Sequence, residues 1–167
     1  MTLTAPTGRL QTITAGFLAL AMAATVGTAL GFEHLGGFIP CKLCLEQRTP
    51  YYIGVPLMLV ALVSATMHWP AVLTRGLLLA GGLLMLWGLG LGVYHAGVEW
   101  NWWQGPTDCG AVAPSSGSGS LLDQLNTVVP PACDQAAGRF LGLSFAGWNV
   151  VASAVLAAVA LRGALKR

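Results

Sequence analysis

Charge is what this sequence has least of: only 8% of its 167 residues are Asp, Glu, Lys or Arg, against 55% hydrophobic. So little polar surface cannot cover a water-soluble domain, which leaves one integral membrane domain over 1–167. Short segments of alternating apolar and polar residues are also missing, and with them the pattern of a transmembrane barrel. Lipid cannot hydrogen-bond an exposed backbone, so a helical bundle remains. No internal repeat divides the chain.

What is present is four stretches without a charged residue, 10–32, 49–67, 76–94 and 140–161. Each is near or above the ~20 residues that a helix needs to cross the hydrocarbon core. The expected fold is all-α, an integral membrane four-helix bundle with outer loops at 33–48 and 95–139. With both termini cytoplasmic, the inner side carries Arg9, Arg75, Arg162, Lys166 and Arg167, and the outer side keeps Lys42, Arg48 and Arg139. Five of the eight basic residues then lie inside, as the positive-inside rule requires. All four cysteines fall outside, where an oxidising compartment lets disulfides persist. Arg9 and Ala21-Met22-Ala23 also resemble a signal peptide with its cleavage site, but the apolar run continues unbroken to Phe32, which favours a retained span.

The first outer loop ends in Cys41-Lys42-Leu43-Cys44-Leu45-Glu46-Gln47-Arg48, with Pro40 just before it, a residue suited to a helix entrance. Pro50 and Pro56 leave the start of the second span open. The second outer loop holds Cys109 and Cys133. Within it, Pro114 to Ser120 has the composition of a flexible linker. After the linker, Leu121, Leu122, Leu125, Val128 and Val129 recur at helical spacing, with Ser120 as a cap, so a short amphipathic helix lying parallel to the membrane is expected; packing on the bundle is the plainer alternative. Trp100, Trp102 and Trp103 suit an interfacial belt.

Four cysteines allow three pairings. Spacing favours Cys41 with Cys44 and Cys109 with Cys133. A closely spaced pair at a helix entrance has its thiolate favoured by exposed backbone amides and nearby cations. If the helix begins at Cys41, then Cys41, Cys44 and Arg48 share a face, placing Arg48 where it can stabilise a Cys44 thiolate and negative charge on a bound acceptor. A two-residue spacing closes too small a loop to gain much entropy, so redox use explains it better than a structural staple. Cys109 and Cys133 lack the short spacing of zinc ligands, and no metal is expected. His34 and His95 approach the outer face without a metal or haem motif, and His68 reads as a cytoplasmic turn residue.

With these residues in hand, the chain resembles the disulfide bond formation protein B family, DsbB, over almost its whole length. The resemblance rests on the Cys41 to Arg48 run, Tyr94-His95-Ala96-Gly97-Val98-Glu99-Trp100, Gly105-Pro106-Thr107-Asp108-Cys109, Cys133-Asp134, Phe140 to Ser144 and Trp148-Asn149. It implies a quinone-dependent thiol oxidoreductase of the bacterial inner membrane that reoxidises a periplasmic DsbA-like, thioredoxin-fold dithiol protein and passes the electrons to membrane quinone. The catalytic residues it implies are Cys41, Cys44, Cys109 and Cys133. Cys109 takes the attack of the partner, the released Cys133 attacks Cys41, and Cys44 is freed to reduce quinone. Arg48 and His95 match the quinone-binding positions, ubiquinone being expected and menaquinone the other choice. No nucleic-acid partner is expected.

The chain departs from the family in two places. A bulky aromatic shortly after the last cysteine is replaced by Gln135-Ala136-Ala137-Gly138-Arg139, and the Pro114 to Ser120 stretch lies outside the family pattern. A non-catalytic membrane scaffold stapled by disulfides is the alternative. A vitamin K epoxide reductase-like enzyme shares the bundle, but its cysteine pair belongs near the end of the bundle instead of at the start of span two.

Overall fold

The computed structural model describes residues 7–106 and 133–166. Cys109, the Pro114 to Ser120 linker and the amphipathic segment expected after it lie outside the described residues. The elements run α1 (Arg9–His34), α2 (Lys42–Thr66), α3 (Ala71–Glu99), a two-stranded antiparallel hairpin of β1 (Arg139–Phe140) and β2 (Leu143–Ser144), then α4 (Phe145–Leu165). All four helices are long and apolar enough to cross a membrane. At 21 to 29 residues, they extend about 32 to 44 Å at the α-helical rise.

The helices form a ring. Each of α1·α2, α2·α3, α3·α4 and α4·α1 packs extensively, α3 with α4 most of all, while α1 and α3 barely meet across the diagonal. The core is built from alanines and unbranched or flexible side chains: Ala15, Leu18 and Met22 on α1, Met58 and Ala61 on α2, Leu78 and Met85 on α3, Leu156, Ala157 and Ala160 on α4. Small residues let backbones approach where lipid supplies no hydrophobic driving force between helices. Gly92 shows how close: a Cβ there would lie 3.0 Å from Val150 Cγ2 and 3.3 Å from the Val150 backbone nitrogen. Outward faces carry Leu20, Val60, Leu83 and Val155, as a lipid-facing surface should.

Three boundaries differ from those expected. The second helix starts at Lys42 instead of Thr49 and runs unbroken through Pro50 and Pro56; each proline lacks the N–H that would have bonded the carbonyl four residues back. Most of the expected first outer loop is thus helical, and α3 likewise continues through His95 to Glu99. The last helix starts at Phe145 because Leu141 (φ 51°) and Gly142 (φ 84°) turn the chain back first. Two consecutive left-handed residues make a tight turn of the kind that suits a right-twisted hairpin. Ser144 then caps α4, its Oγ accepting from the Gly147 amide at 3.1 Å.

The two ends of the bundle differ in chemistry. Arg9 opens α1, Arg75 lies in the first turns of α3, and Arg162 lies in the last turn of α4, so these cations share one end. Arg75 is fully buried and donates to the carbonyls of Ala164 and Lys166, both at 2.8 Å, where Gln11 also donates to Gly163 and Lys166. These side chains serve carbonyls that the end of α4 would otherwise leave bare. Cys41, Cys44 and Cys133 lie at the opposite end.

Candidate functional site

Cys41 is the N-cap of α2. Its Sγ accepts from the Cys44 amide at 3.3 Å and lies 2.9 Å from Cys44 Sγ. Both are free thiols, Cys41 buried and Cys44 half-buried. Cys133 is disulfide-bonded. It packs with Cys41, Leu43 and Val98 in a small buried cluster, touched from outside by Cys44. The helix begins at Lys42 and Cys41 caps it with extended backbone, so of the three residues expected on one face Cys44 and Arg48, a turn apart, share the cavity wall while Cys41 does not. The hydrogen bond from the Cys44 thiol, helped by the one from His95, holds the Cys41 thiol well below its usual range, against the opposing effect of burial.

His95 reaches this pair from α3. Its Nε2 lies 3.7 Å from Cys41 Sγ and 3.9 Å from Glu99 Oε1, one turn further along the same helix. The other ring nitrogen, Nδ1, is bonded to Gln47 Nε2. Behind Gln47 a polar chain crosses the bundle from α2 to α4: Asn149 Nδ2 donates to Gln47 Oε1 at 2.7 Å, Tyr51 Oη donates to Asn149 Oδ1 at 2.7 Å, and Ser153 Oγ lies 2.9 Å from Tyr51 Oη.

A cavity of about 330 Å³ lies beside the thiols, wedged between the outer ends of α1, α2 and α4. Its walls are mainly apolar, including Val26, Ala29, Phe32, Ile39, Phe145 and Trp148, with Cys44, Arg48 and His95 converging on it. Its volume falls in the range of small-molecule sites, about 300–1,000 Å³. Arg48 is ion-paired with Glu33 from the end of α1, and both residues line the cavity. A second, much smaller recess of about 20 Å³ is lined by Cys41, Cys44, His95 and Glu99. Cys44 and His95 therefore border both spaces, whereas Cys41 and Glu99 border only the small one. An apolar chamber with an Arg48–Glu33 ion pair and one imidazole in its wall suits a flat, mostly apolar molecule with polar oxygens.

The sulfurs of Cys41 and Cys44 and a ring nitrogen of His95 lie within 4.8 Å of one another, close enough to share an ion. This set differs from the four-cysteine site weighed from sequence. His34, at the end of α1, belongs neither to it nor to the cavity wall. His68 sits in the turn between α2 and α3 with φ 56°.

The structure thus brings Cys41, Cys44, Arg48, His95 and Cys133 to one end of the bundle. Sequence reasoning missed Glu33, Gln47, Tyr51, Asn149, Ser153 and Glu99. The available signal was weak but real: polar side chains inside otherwise apolar spans mark function more often than packing.

The chain is similar to known proteins. The family model described as DsbB, disulfide bond formation protein DsbB, matches residues 11–162. The disulfide bond formation protein B of Aromatoleum aromaticum is 31% identical over 144 residues, 83% of each chain. That of Saccharophagus degradans is 35% identical over 148 residues, covering 83% of this chain and 84% of the relative. The Ralstonia nicotianae protein of the same name is 44% identical over 84 residues, 48% of this chain and 46% of the relative. No solved structure matches the chain. A matching family model over most of the length, relatives sharing the name, and a thiol pair at the mouth of a four-helix bundle together place this chain in the disulfide bond formation protein B family, as a membrane oxidoreductase of disulfide formation.

Proposed function

We propose that the protein reoxidises a DsbA-like thioredoxin-fold dithiol partner and passes the electrons to membrane quinone, with Cys41, Cys44, Cys109 and Cys133 as its redox residues. The observation that carries this reading is the division of labour between two neighbouring thiols. Cys44 opens on the apolar cavity beside Arg48, while Cys41 packs against Cys133 and stays out of that cavity. Electrons entering through the loop cysteines reach Cys41 first and leave by Cys44.

Thiol exchange proceeds by thiolate attack on a disulfide sulfur. In the resting enzyme Cys41 and Cys44 are bonded to each other, and Cys109 to Cys133. The partner's thiolate attacks Cys109, and Cys133 leaves as a thiolate. Cys133 attacks Cys41, which shares its small buried cluster, and Cys44 leaves in turn with its negative charge facing the cavity. The partner's second thiolate then displaces Cys109, which restores the Cys109–Cys133 bond and releases Cys41; as Cys41 and Cys44 close their disulfide again, two electrons and two protons pass to quinone, which departs as quinol. Arg48 stabilises the negative charge that develops beside Cys44, and the apolar walls that exclude water strengthen that effect. Ubiquinone and menaquinone both suit the chamber, since its polar groups address oxygens that the two share.

Orientation follows from the charged ends. Arg9, Arg75 and Arg162 mark the cytoplasmic end, and the cysteine end faces the periplasm of the bacterial inner membrane. The test is quinone absorbance in detergent-purified protein after adding a reduced thioredoxin-fold dithiol partner, with wild type and Cys44→Ser side by side. Quinol formed by wild type alone supports the relay. A folded wild type that turns over none of several quinones would favour the stapled scaffold.

A further inference from the structure

The His95 ring has two chemically different nitrogens, and its surroundings decide which one bears a proton. The decision begins at Gly88. Its carbonyl, which can only accept, receives Asn149 Nδ2 at 3.4 Å, and that fixes the Asn149 amide with its nitrogen toward α3 and its oxygen toward the Tyr51 hydroxyl. The same Asn149 nitrogen donates to Gln47 Oε1, so Gln47 must present its own nitrogen to His95 Nδ1. An amide nitrogen has no lone pair to offer, which leaves Nδ1 as an acceptor and places the ring proton on Nε2. That nitrogen faces Cys41 Sγ on one side and Glu99 Oε1 on the other. The Glu99 side chain is 4% exposed, and its Oε2 has no partner among the described residues.

We propose that Tyr51, Asn149 and Gln47 form a positioning relay that holds His95 with its Nε2 proton toward Cys41, so that Cys41 and not Cys44 carries the negative charge whenever the pair is reduced, with Glu99 as the second acceptor for that proton. The same tautomer argues against an ion at Cys41, Cys44 and His95, because the nitrogen facing the sulfurs carries a proton instead of a free lone pair.

The consequence lies in closing the Cys41–Cys44 bond, and to that extent it rests on the function proposed above. The Cys41 thiolate bonds to the Cys44 sulfur as the Cys44 S–H bond breaks and the electron pair goes to the quinone. One S–S bond forms; two electrons and the Cys44 proton pass to the quinone, and the second quinol proton comes from water at the outer face. Charge thus alternates: Cys44 bears it while Cys41 is engaged with Cys133, and Cys41 bears it once released.

The ionisable groups around Cys41 are Cys44 on its own helix, with Arg48 a turn beyond, and His95 and Glu99 on α3. The Cys133 segment and α4 bring only Gln135, Ala137, Phe145 and Ala146 to this recess. Two readouts on the reduced full-length protein in detergent, both without quinone or partner, test the relay. The first is the tautomer of His95 from its ring nitrogen shifts in protein labelled with ¹⁵N-histidine, the other two histidines being assigned by substitution. The second is the pH midpoint for alkylation of Cys41, read by mass spectrometry.

Wild type is expected to show the Nε2–H tautomer. Gln47→Met, which keeps length and apolar packing but removes the donor, is expected to release the tautomer and raise the Cys41 midpoint by about one pH unit or more. Asn149→Leu breaks the relay one step earlier without touching His95 and should do the same in smaller measure, which keeps the test open if Gln47→Met fails to fold. An Nδ1–H tautomer in wild type, or a Cys41 midpoint unmoved in both variants, overturns the proposal. Loss of quinone turnover with the expected tautomer would count against the proposed function alone.

Discussion

Two glycines of α3 separated by one residue offer a sharp test of how the bundle is held. A Cβ at Gly92 would meet Val150 Cγ2 at 3.0 Å, Asn149 Nδ2 at 3.1 Å and the Val150 backbone nitrogen at 3.3 Å, whereas a Cβ at Gly90 meets nothing within 4 Å. Val150 belongs to α4, and α3 with α4 is the most closely packed pair in the ring. Because one of the three atoms is backbone, a side-chain rotation cannot clear the space; α4 has to move by a few tenths of an ångström. Overpacking of this kind costs about 1–3 kcal/mol, offset by up to about 1 kcal/mol from replacing glycine in a helix. The net expectation is that Gly92→Ala is destabilised by about 0.5–2 kcal/mol, while Gly90→Ala is neutral or stabilised by up to about 1 kcal/mol.

The assay is equilibrium unfolding by SDS in mixed micelles, followed by far-UV circular dichroism, for the two variants in parallel. Since both substitutions are chemically identical on the same helix, helix propensity cancels and the difference reports the contact with α4. A Gly92→Ala protein as stable as Gly90→Ala, or more so, would refute the close α3–α4 approach. The same substitution presses on Asn149, so the Cys41 alkylation midpoint should rise in Gly92→Ala and stay put in Gly90→Ala.

At the other end of the bundle, Arg75→Met removes two donors from the carbonyls of Ala164 and Lys166, leaving Gln11 on Lys166; a loss of about 2–4 kcal/mol in the same unfolding assay is expected. Leu141 holds a left-handed φ of 51° at an exposed turn, a conformation asparagine adopts more readily, so Leu141→Asn should stabilise by about 0.5–1 kcal/mol, and any destabilisation would count against the hairpin. The reduced protein should also show a pH-dependent stability that the Cys41–Cys44 disulfide form lacks. Cys41 is lowered from about 9 to about 4 in the fold, so the unfolded chain binds the extra proton. The contribution is therefore complete above pH 9 and disappears as pH falls through 4. Unfolding midpoints of reduced wild type and reduced Cys41→Ser across that window check the sign, which should favour wild type progressively as pH rises.

The four spans were legible because lipid imposes one rule on every residue of a spanning helix, and runs without charge satisfy it visibly. Helix ends follow other rules. Lys42, Glu46 and Arg48 read as a loop because they are charged, yet Arg48 is served inside the bundle by Glu33, fifteen residues earlier and on another helix. Leu141-Gly142 belongs to an apolar stretch and gives no sign of a turn until its two positive φ values are seen. Arg75 was expected on the cytoplasmic side from its charge, and that charge gave no sign of its burial against the last turn of α4. In the site itself, Cys41, Cys44 and Arg48 were local enough to read from one run of about two helical turns. The chain from Ser153 to His95 was not, since Gln47 and Asn149 are 102 residues apart in sequence.

That polar chain also shows why the site sits where it does. Buried amides, hydroxyls and imidazoles cost stability unless each finds a partner, and the interior of a membrane bundle offers no water to substitute. Here the hydroxyl of Tyr51 and the amides of Asn149 and Gln47 are satisfied in sequence, each fixing the next, which makes the network a rigid ruler laid across α2, α4 and α3. Rigidity in the supporting shell is what holds a reactive thiol at a fixed distance from its proton donor. The one buried side-chain oxygen without a partner among the described residues, Glu99 Oε2, comes at the end of this chain and beside the thiol pair. That unsatisfied carboxyl oxygen belongs to the recess that Glu99 shares with His95 and Cys41, which is why Glu99 is proposed as the second acceptor for the His95 proton.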